Sequence, residues 1–257
     1  MDAPQILKPF RFKRWLPYYA VFQEDIRQTL RSWVYRSWVL ISVLTGVGYL
    51  LYRMGVDREA GIVQHASTWI SDLLRWCVFG SVTLIIVLTA GTISAERGTL
   101  ADSVLSRGIS RYQYFLGKWH ARLATVLGTF LAIGIVALVS SFFLHHEDLS
   151  LPGSLLALLT IASLLAAVIS CGVTVSAIFN NTLVAVAVLF ILVYGTSFAL
   201  LLLPGHLPSP YRIINGLPYI LRGEYNYALL GRLIAWSASF SALLALIGLG
   251  CFARRDV

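Results

Sequence analysis

Residues 154–179 read SLLALLTIASLLAAVISCGVTVSAIF, a run without one charged side chain. At 1.5 Å per residue, about 20 predominantly apolar residues in a helix cross the ~30 Å hydrocarbon core of a bilayer. The run is long enough to do so, and its neighbours repeat the pattern. Between Leu123 and Tyr211 the only charged residues are Glu147 and Asp148. Six such runs are expected to span, at 37–52, 76–95, 123–144, 154–179, 182–203 and 233–252. The first is the shortest, and Trp33, Val34 and a snorkelling Arg36 extend it. Composition agrees: 58% of the 257 residues are hydrophobic and 12% are charged, where a soluble domain carries about 25% charged residues. The mean hydropathy is +0.76. An ordinary cytosolic enzyme, a disordered chain and a disulfide scaffold are all excluded, the last by only three cysteines. The fold class expected is an all-α membrane protein of six transmembrane helices.

The formal charge of +8 would suggest nucleic acid in a soluble protein, but in a membrane protein it reports orientation. With six spans both termini share one side. That side holds Lys8, Arg11, Lys13, Arg14, Arg27, Arg31, Arg36, Arg97, Arg107, Arg111, Lys118, Arg122, Arg254 and Arg255. The other side holds Arg53, Arg58, Arg75, Arg212, Arg222 and Arg232. The positive-inside rule therefore puts both termini in the cytoplasm, with the protein multi-pass in a cell membrane. The first apolar run follows a long basic stretch, beyond a normal signal-peptide n-region, so that helix is expected to stay as an anchor.

Before the first span, residues 15–34 carry helical periodicity. Tyr19, Phe22, Ile26, Leu30 and Trp33 recur at three- and four-residue steps, opposed by Gln23, Glu24, Arg27, Gln28 and Arg31. Such a helix lies along a leaflet surface, either as an elbow forming part of a docking surface or as an anchor to anionic headgroups. After the second span comes E-R-G-T-L-A-D-S-V-L-S-R-G-I-S-R at 96–111, then L-G-K at 116–118. Gly98 and Gly108 punctuate it, and 99–105 suit a short helix parallel to the membrane that enters a groove on a soluble partner.

E-R-G-T-L, V-L-S-R-G-I-S-R, L-G-K and the basic end F-A-R-R-D at 252–256 together resemble ABC exporter permeases of the second type. The permease of the nitrous-oxide-reductase maturation system is the nearest likeness. The hydropathy likeness covers almost the whole chain and the motif likeness about 25 residues. Gly108 stands where many relatives have proline. The resemblance implies an elbow helix within 1–36, a six-helix permease domain over 37–252 and a cytoplasmic tail at 253–257. It also implies a coupling helix that docks on an ATPase and an external re-entrant segment within 204–231. Carried over residue by residue, Glu96, Gly98, Thr99, Leu100, Leu105, Ser106, Ser110, Arg111, Gly117 and Lys118 face the ATPase. Leu100 and Leu105 supply apolar contact there, and Arg107 and Arg111 charge. Glu96 caps the loop or pairs with an arginine. The partners implied are two ATPase subunits, which carry ATP and Mg, and a second permease copy as homodimer or heterodimer, with no nucleic acid. The chain itself has no phosphate cradle: Gly117-Lys118 precedes Trp119 and lacks the earlier glycine.

Other signals are weaker. His145-His146-Glu147-Asp148 reads as a polar turn rather than a metal site. Cys77, Cys171 and Cys251 read as packing residues. Ala162, Ala166, Ser170 and Thr174 form a small-residue stripe suited to close helix approach, and Asn180-Asn181 a tight turn. In the segment with four prolines, apolar pieces at 213–221 and 225–230 are expected as short helices dipping into the outer interface, with Arg222 and Glu224 pairing locally. Every histidine is expected at a loop or helix boundary, and no ionic group deep in a span. Two other functions remain open: an intramembrane enzyme such as a six-span serine protease, and a non-transporting scaffold for an ABC ATPase.

Overall fold

The computed structural model describes residues 15–60, 65–96, 109–144, 148–202 and 210–254. Among these every regular element is helical: α1 (Leu16–Arg31), α2 (Trp33–Ala60), α3 (Ala66–Ala90), α4 (Arg111–Leu144), α5 (Leu151–Ile178), α6 (Thr182–Leu202), α7 (Pro210–Asn215), α8 (Leu217–Arg222) and α9 (Tyr227–Arg254). Six of them, α2 to α6 and α9, are long and apolar enough to cross a membrane, the signature of a multi-pass membrane protein.

Chain direction alternates, so α1, the end of α3, the start of α4 and the end of α9 share one end of the bundle. Arg111 Nη1 donates to the Ala253 carbonyl there (3.1 Å). The opposite end gathers α7, α8 and the starts of α3, α5 and α9. Ser150 N–H donates to the Leu221 carbonyl (2.9 Å), and Arg222 Nε donates to Ser67 Oγ (2.8 Å). Arg222 thus turns to α3 rather than to Glu224. Asp148 meets His65 across the same end, while 145–147 lie outside the described residues.

α5 is the central helix, packed by α9, α3, α4, α6 and α8. Its small-residue stripe meets α9: Trp119 Nε1 donates to Ser170 Oγ (2.9 Å), which contacts Ser241 Oγ (2.6 Å). Thr174 Oγ1 donates to the Leu244 carbonyl (2.8 Å). A Cβ at Gly248 would stand 2.8 Å from Phe115 Cζ and Thr174 Oγ1, so the helices approach as small residues permit. The Asn180–Asn181 link makes α5 and α6 neighbours, as expected.

Five boundaries differ from expectation. Residues 15–34 are two helices. Ser32 is extended (ψ 138°) and its Oγ accepts from Tyr35 N–H (3.2 Å), ending α1 and capping α2. α3 starts at Ala66 rather than 76, because Asp72 and Arg75 pair along the helix and Asp72 also accepts from Tyr49. It stops at Ala90, and 91–96 form turns whose Ile93 and Ser94 N–H groups donate to Ser176 Oγ (2.9 and 3.0 Å). α4 starts at Arg111 rather than 123. Residues 225–230 are no separate piece: Tyr227 opens α9, and Leu230 is fully buried. The 213–221 piece forms α7 and α8, with Leu217, Ile220 and Leu221 buried in the bundle's main core.

Candidate functional site

The charged site lies under α1. Its bundle-facing side is Tyr18, Val21, Asp25 and Thr29, spaced by three and four residues, with Asp25 at its centre and 2% exposed. Opposite, on α4, Lys118 and Arg122 are one turn apart. Lys118 Nζ donates to Asp25 Oδ1 (3.1 Å) and Glu96 Oε1 (2.7 Å), and lies 5.3 Å from the Tyr114 ring centre. Tyr114 donates its hydroxyl to Glu96 Oε2 (2.6 Å). Arg122 Nη1 donates to Thr29 Oγ1 (2.7 Å), and Thr29 Oγ1 to the Asp25 carbonyl (2.7 Å). Arg122 Nε is 3.3 Å from Asp25 Oδ2. Those two atoms are not aligned for a hydrogen bond, so that contact is ionic.

Two carboxylates and two cations cancel, which is how four charges are tolerated where Lys118 is 3% exposed. Glu96, at 21%, is the member nearest solution. It is also the last described residue before 97–108, so the cluster ties that segment's entry to α4, and through Asp25 to α1. Close approach needs Gly117. A Cβ there would lie 2.9 Å from Val21 Cγ1 and 3.3 Å from the Tyr18 carbonyl. Beside it, Tyr18 OH and His120 Nδ1 are 3.1 Å apart, and the same nitrogen is 2.9 Å from the Leu116 carbonyl. Burial pushes the Tyr18 phenol up, so its hydroxyl stays neutral. His120 therefore sits inside α4 and not at a boundary, and Lys118 and Arg122 lie in the first turns of a helix long and apolar enough to span.

Of the coupling residues, Gly98, Thr99, Leu100, Leu105, Ser106 and Arg107 lie outside the described residues. Glu96 pairs with Lys118 and Tyr114 rather than with an arginine. Lys118 and Gly117 are turned into the protein beneath α1. Ser110 and Gln113 form a reciprocal cap at the start of α4: Ser110 N–H donates to Gln113 Oε1 and Gln113 N–H to Ser110 Oγ (both 3.2 Å). Arg111 holds the end of α9, where Tyr114 and Phe115 pack on Phe252 (ring centres 5.9 and 6.3 Å).

The elbow stripe is not the packing face of α1. Tyr19, Leu30 and Trp33 are exposed, Trp33 to 81%, while Phe22 and Ile26 are half-buried. α1 is three-sided: one side on the bundle, an outer apolar stripe, and a polar side of Gln23, Glu24, Arg27, Gln28 and Arg31. Asp25, Arg122 and Tyr114 are the site residues that sequence reasoning missed. Their signal was an acid at the centre of a second helical stripe, and a lysine–arginine pair at i, i+4.

Between α2, α3 and α4 runs a mostly apolar cleft lined by Trp38, Ser42, Leu73, Leu74, Cys77, Ser81, Phe130, Ile133 and Gly134. Its Trp38 Nε1 donates to Ser81 Oγ (3.2 Å). Among the described residues no three His, Cys, Asp or Glu side chains are grouped to hold a metal. No protein-family model and no curated protein matches the chain.

Proposed function

We propose that this chain is the membrane-spanning subunit of an ATP-driven exporter, a permease of the second type, working with two copies of a separate ATPase and a second permease. ATP and Mg belong to the ATPase. The observation that carries the reading is the buried Glu96–Lys118–Asp25–Arg122 cluster at the entry to the E-R-G-T-L segment. A partner that displaces that segment pulls on Glu96, and Lys118 passes the pull to α4 and α1. Arg111 passes it to α9. On this reading both termini are cytoplasmic in a bacterial plasma or inner membrane. α1 is then the interfacial elbow: its outer stripe of Leu16, Tyr19 and Leu30, flanked by Trp15 before it and Trp33 at the start of α2, lies in the leaflet and Arg27 and Arg31 face headgroups. The α7–α8 pair closes the external end of the bundle as the re-entrant segment.

The test is purification of the tagged chain from its own membrane in mild detergent, with mass spectrometry of what accompanies it. A P-loop ATPase is expected with the wild type. Leu100→Asp with Leu105→Asp should lose it while inserting normally. No ATPase with the wild type, or full retention by the double variant, rejects the proposal.

A further inference from the structure

The corner where α1 meets α2 carries positive charge that no acid of the bundle balances. The apolar span of α2 is Trp33–Tyr52, 20 residues and about 30 Å long, the thickness of the hydrocarbon core. Trp33 therefore stands at the edge of that core, and at 81% exposed it points away from the bundle. The Arg36 Cα lies roughly 5 Å further in. Its side chain leans back toward the edge, because Cα–Cβ bonds tilt to a helix N-terminus. There Arg36 Nε donates to the Leu30 carbonyl (3.3 Å), and Ser32 N–H donates to the Thr29 carbonyl (3.1 Å). Two of the carbonyls that end α1 are thus covered. Arg31 closes the last turn of α1, and Arg27 lies one turn before it. All three arginines are exposed, and among the described residues no carboxylate pairs with any of them. The acid on their side of α1, Glu24, lies about 10 Å along the helix from Arg31 and accepts from the Gln28 amide (3.4 Å).

Guanidinium groups at a bilayer edge take lipid phosphates as charged acceptors. A zwitterionic lipid brings an ammonium beside its phosphate, which three uncompensated arginines repel. An anionic headgroup brings none. We propose that Arg31 and Arg36 bind the phosphate of an anionic phospholipid of the phosphatidylglycerol type at the α1–α2 corner. Arg36 spends Nε on the Leu30 carbonyl and offers its two terminal nitrogens to the phosphate. Arg31 meets the phosphate from α1, Arg27 adds charge one turn away, and an acyl chain lies along Trp33. Because α1 and α2 are separate helices joined at Ser32, the bound lipid ties the end of one to the start of the other. The site rests on the interfacial placement of α1 and not on the ATPase.

The test is native mass spectrometry of the purified protein offered phosphatidylglycerol, phosphatidylethanolamine and phosphatidylcholine of one acyl composition. The wild type should retain phosphatidylglycerol about tenfold better than either other lipid, since each arginine adds to the attraction for a net negative charge. Arg31→Gln and Arg36→Gln should each weaken the preference and together abolish it. Arg232→Gln, at an exposed arginine on the opposite end of the bundle, should leave it intact. Equal retention of the three lipids by the wild type, an unchanged preference in the double variant, or an equal loss in Arg232→Gln overturns the proposal. So does displacement by millimolar glycerol phosphate, which would make the ligand a soluble anion. The placement of α1 is read separately, in nanodiscs, from quenching of a bimane on Leu30→Cys in a cysteine-free variant by lipids brominated in their acyl chains. Quenching without headgroup preference overturns the site alone, and no quenching overturns both.

Discussion

Lys118→Met removes the ammonium that holds Asp25 and Glu96 together, and the structure sets the size of the effect. Two charge-assisted bonds are lost, at 3.1 and 2.7 Å. With both Lys118 and Asp25 almost wholly buried, solvent screening offers little relief. Breaking a buried pair costs about 3–5 kcal/mol. Asp25 keeps Arg122, and Glu96 keeps the Tyr114 hydroxyl and some water, so we expect the low end, about 3 kcal/mol. Glu96→Gln alone should cost about 1 kcal/mol, because Lys118 keeps Asp25 and the amide oxygen still accepts. The double variant should cost about 1 kcal/mol less than the two singles together, since Glu96 no longer leaves a carboxylate without its lysine. Equilibrium unfolding in mixed micelles measures all three. Tryptic cleavage at exposed Arg27 and Arg31 reads the loosening of α1 directly. A Lys118→Met variant within about 0.5 kcal/mol of wild type, or strict additivity in the cycle, refutes the assignment of Lys118 as the joint between α1 and Glu96.

Gly117→Ala forces a methyl against Val21 and should cost about 1–3 kcal/mol, with faster tryptic cleavage of α1. In a Val21→Ala background the increment should shrink, and an equal increment there counts against the contact. Ser176→Ala strands the Ile93 and Ser94 N–H groups and should cost about 2 kcal/mol. Faster hydrogen exchange at 91–96 in that variant reports the same loss.

The six spans were legible because hydropathy over twenty residues overrides every local preference. Their ends were less so. Reading a charge as a boundary cut α3 short of Asp72 and Arg75, and α4 short of Lys118 and Arg122, yet each has an opposite charge that keeps it inside a helix. One missed start was written in the sequence: Ser110-Arg111-Tyr112-Gln113 is a capping box, and α4 begins where it says. The orientation of α1 was not written locally. Its apolar stripe drew attention to Tyr19, Leu30 and Trp33, whereas the side that packs centres on an acid. What makes Asp25 an inward residue is Lys118 and Arg122, far along the chain, and no window of sequence contains both partners. The same distance hid the role of Glu96, whose partner is a lysine beyond the 97–108 segment.

The cluster also bears on the charge asymmetry that suggested an orientation. On the topology expected from the sequence, the side of both termini counts fourteen basic residues against six acidic ones, Asp2, Glu24, Asp25, Glu96, Asp102 and Asp256. Asp25, Glu96, Lys118 and Arg122 cancel in pairs inside the protein, so removing them from the count leaves the excess of eight unchanged. Twelve basic and four acidic residues of that count lie outside the cluster. α1 divides its sides accordingly, with Arg27 and Arg31 outward while Asp25 is spent internally. If Asp25 faced outward, α1 would lose its ionic tie to Lys118 and Arg122. With Asp25 on Lys118, a displacement of the first turns of α4 carries α1 and the end of α3 with it.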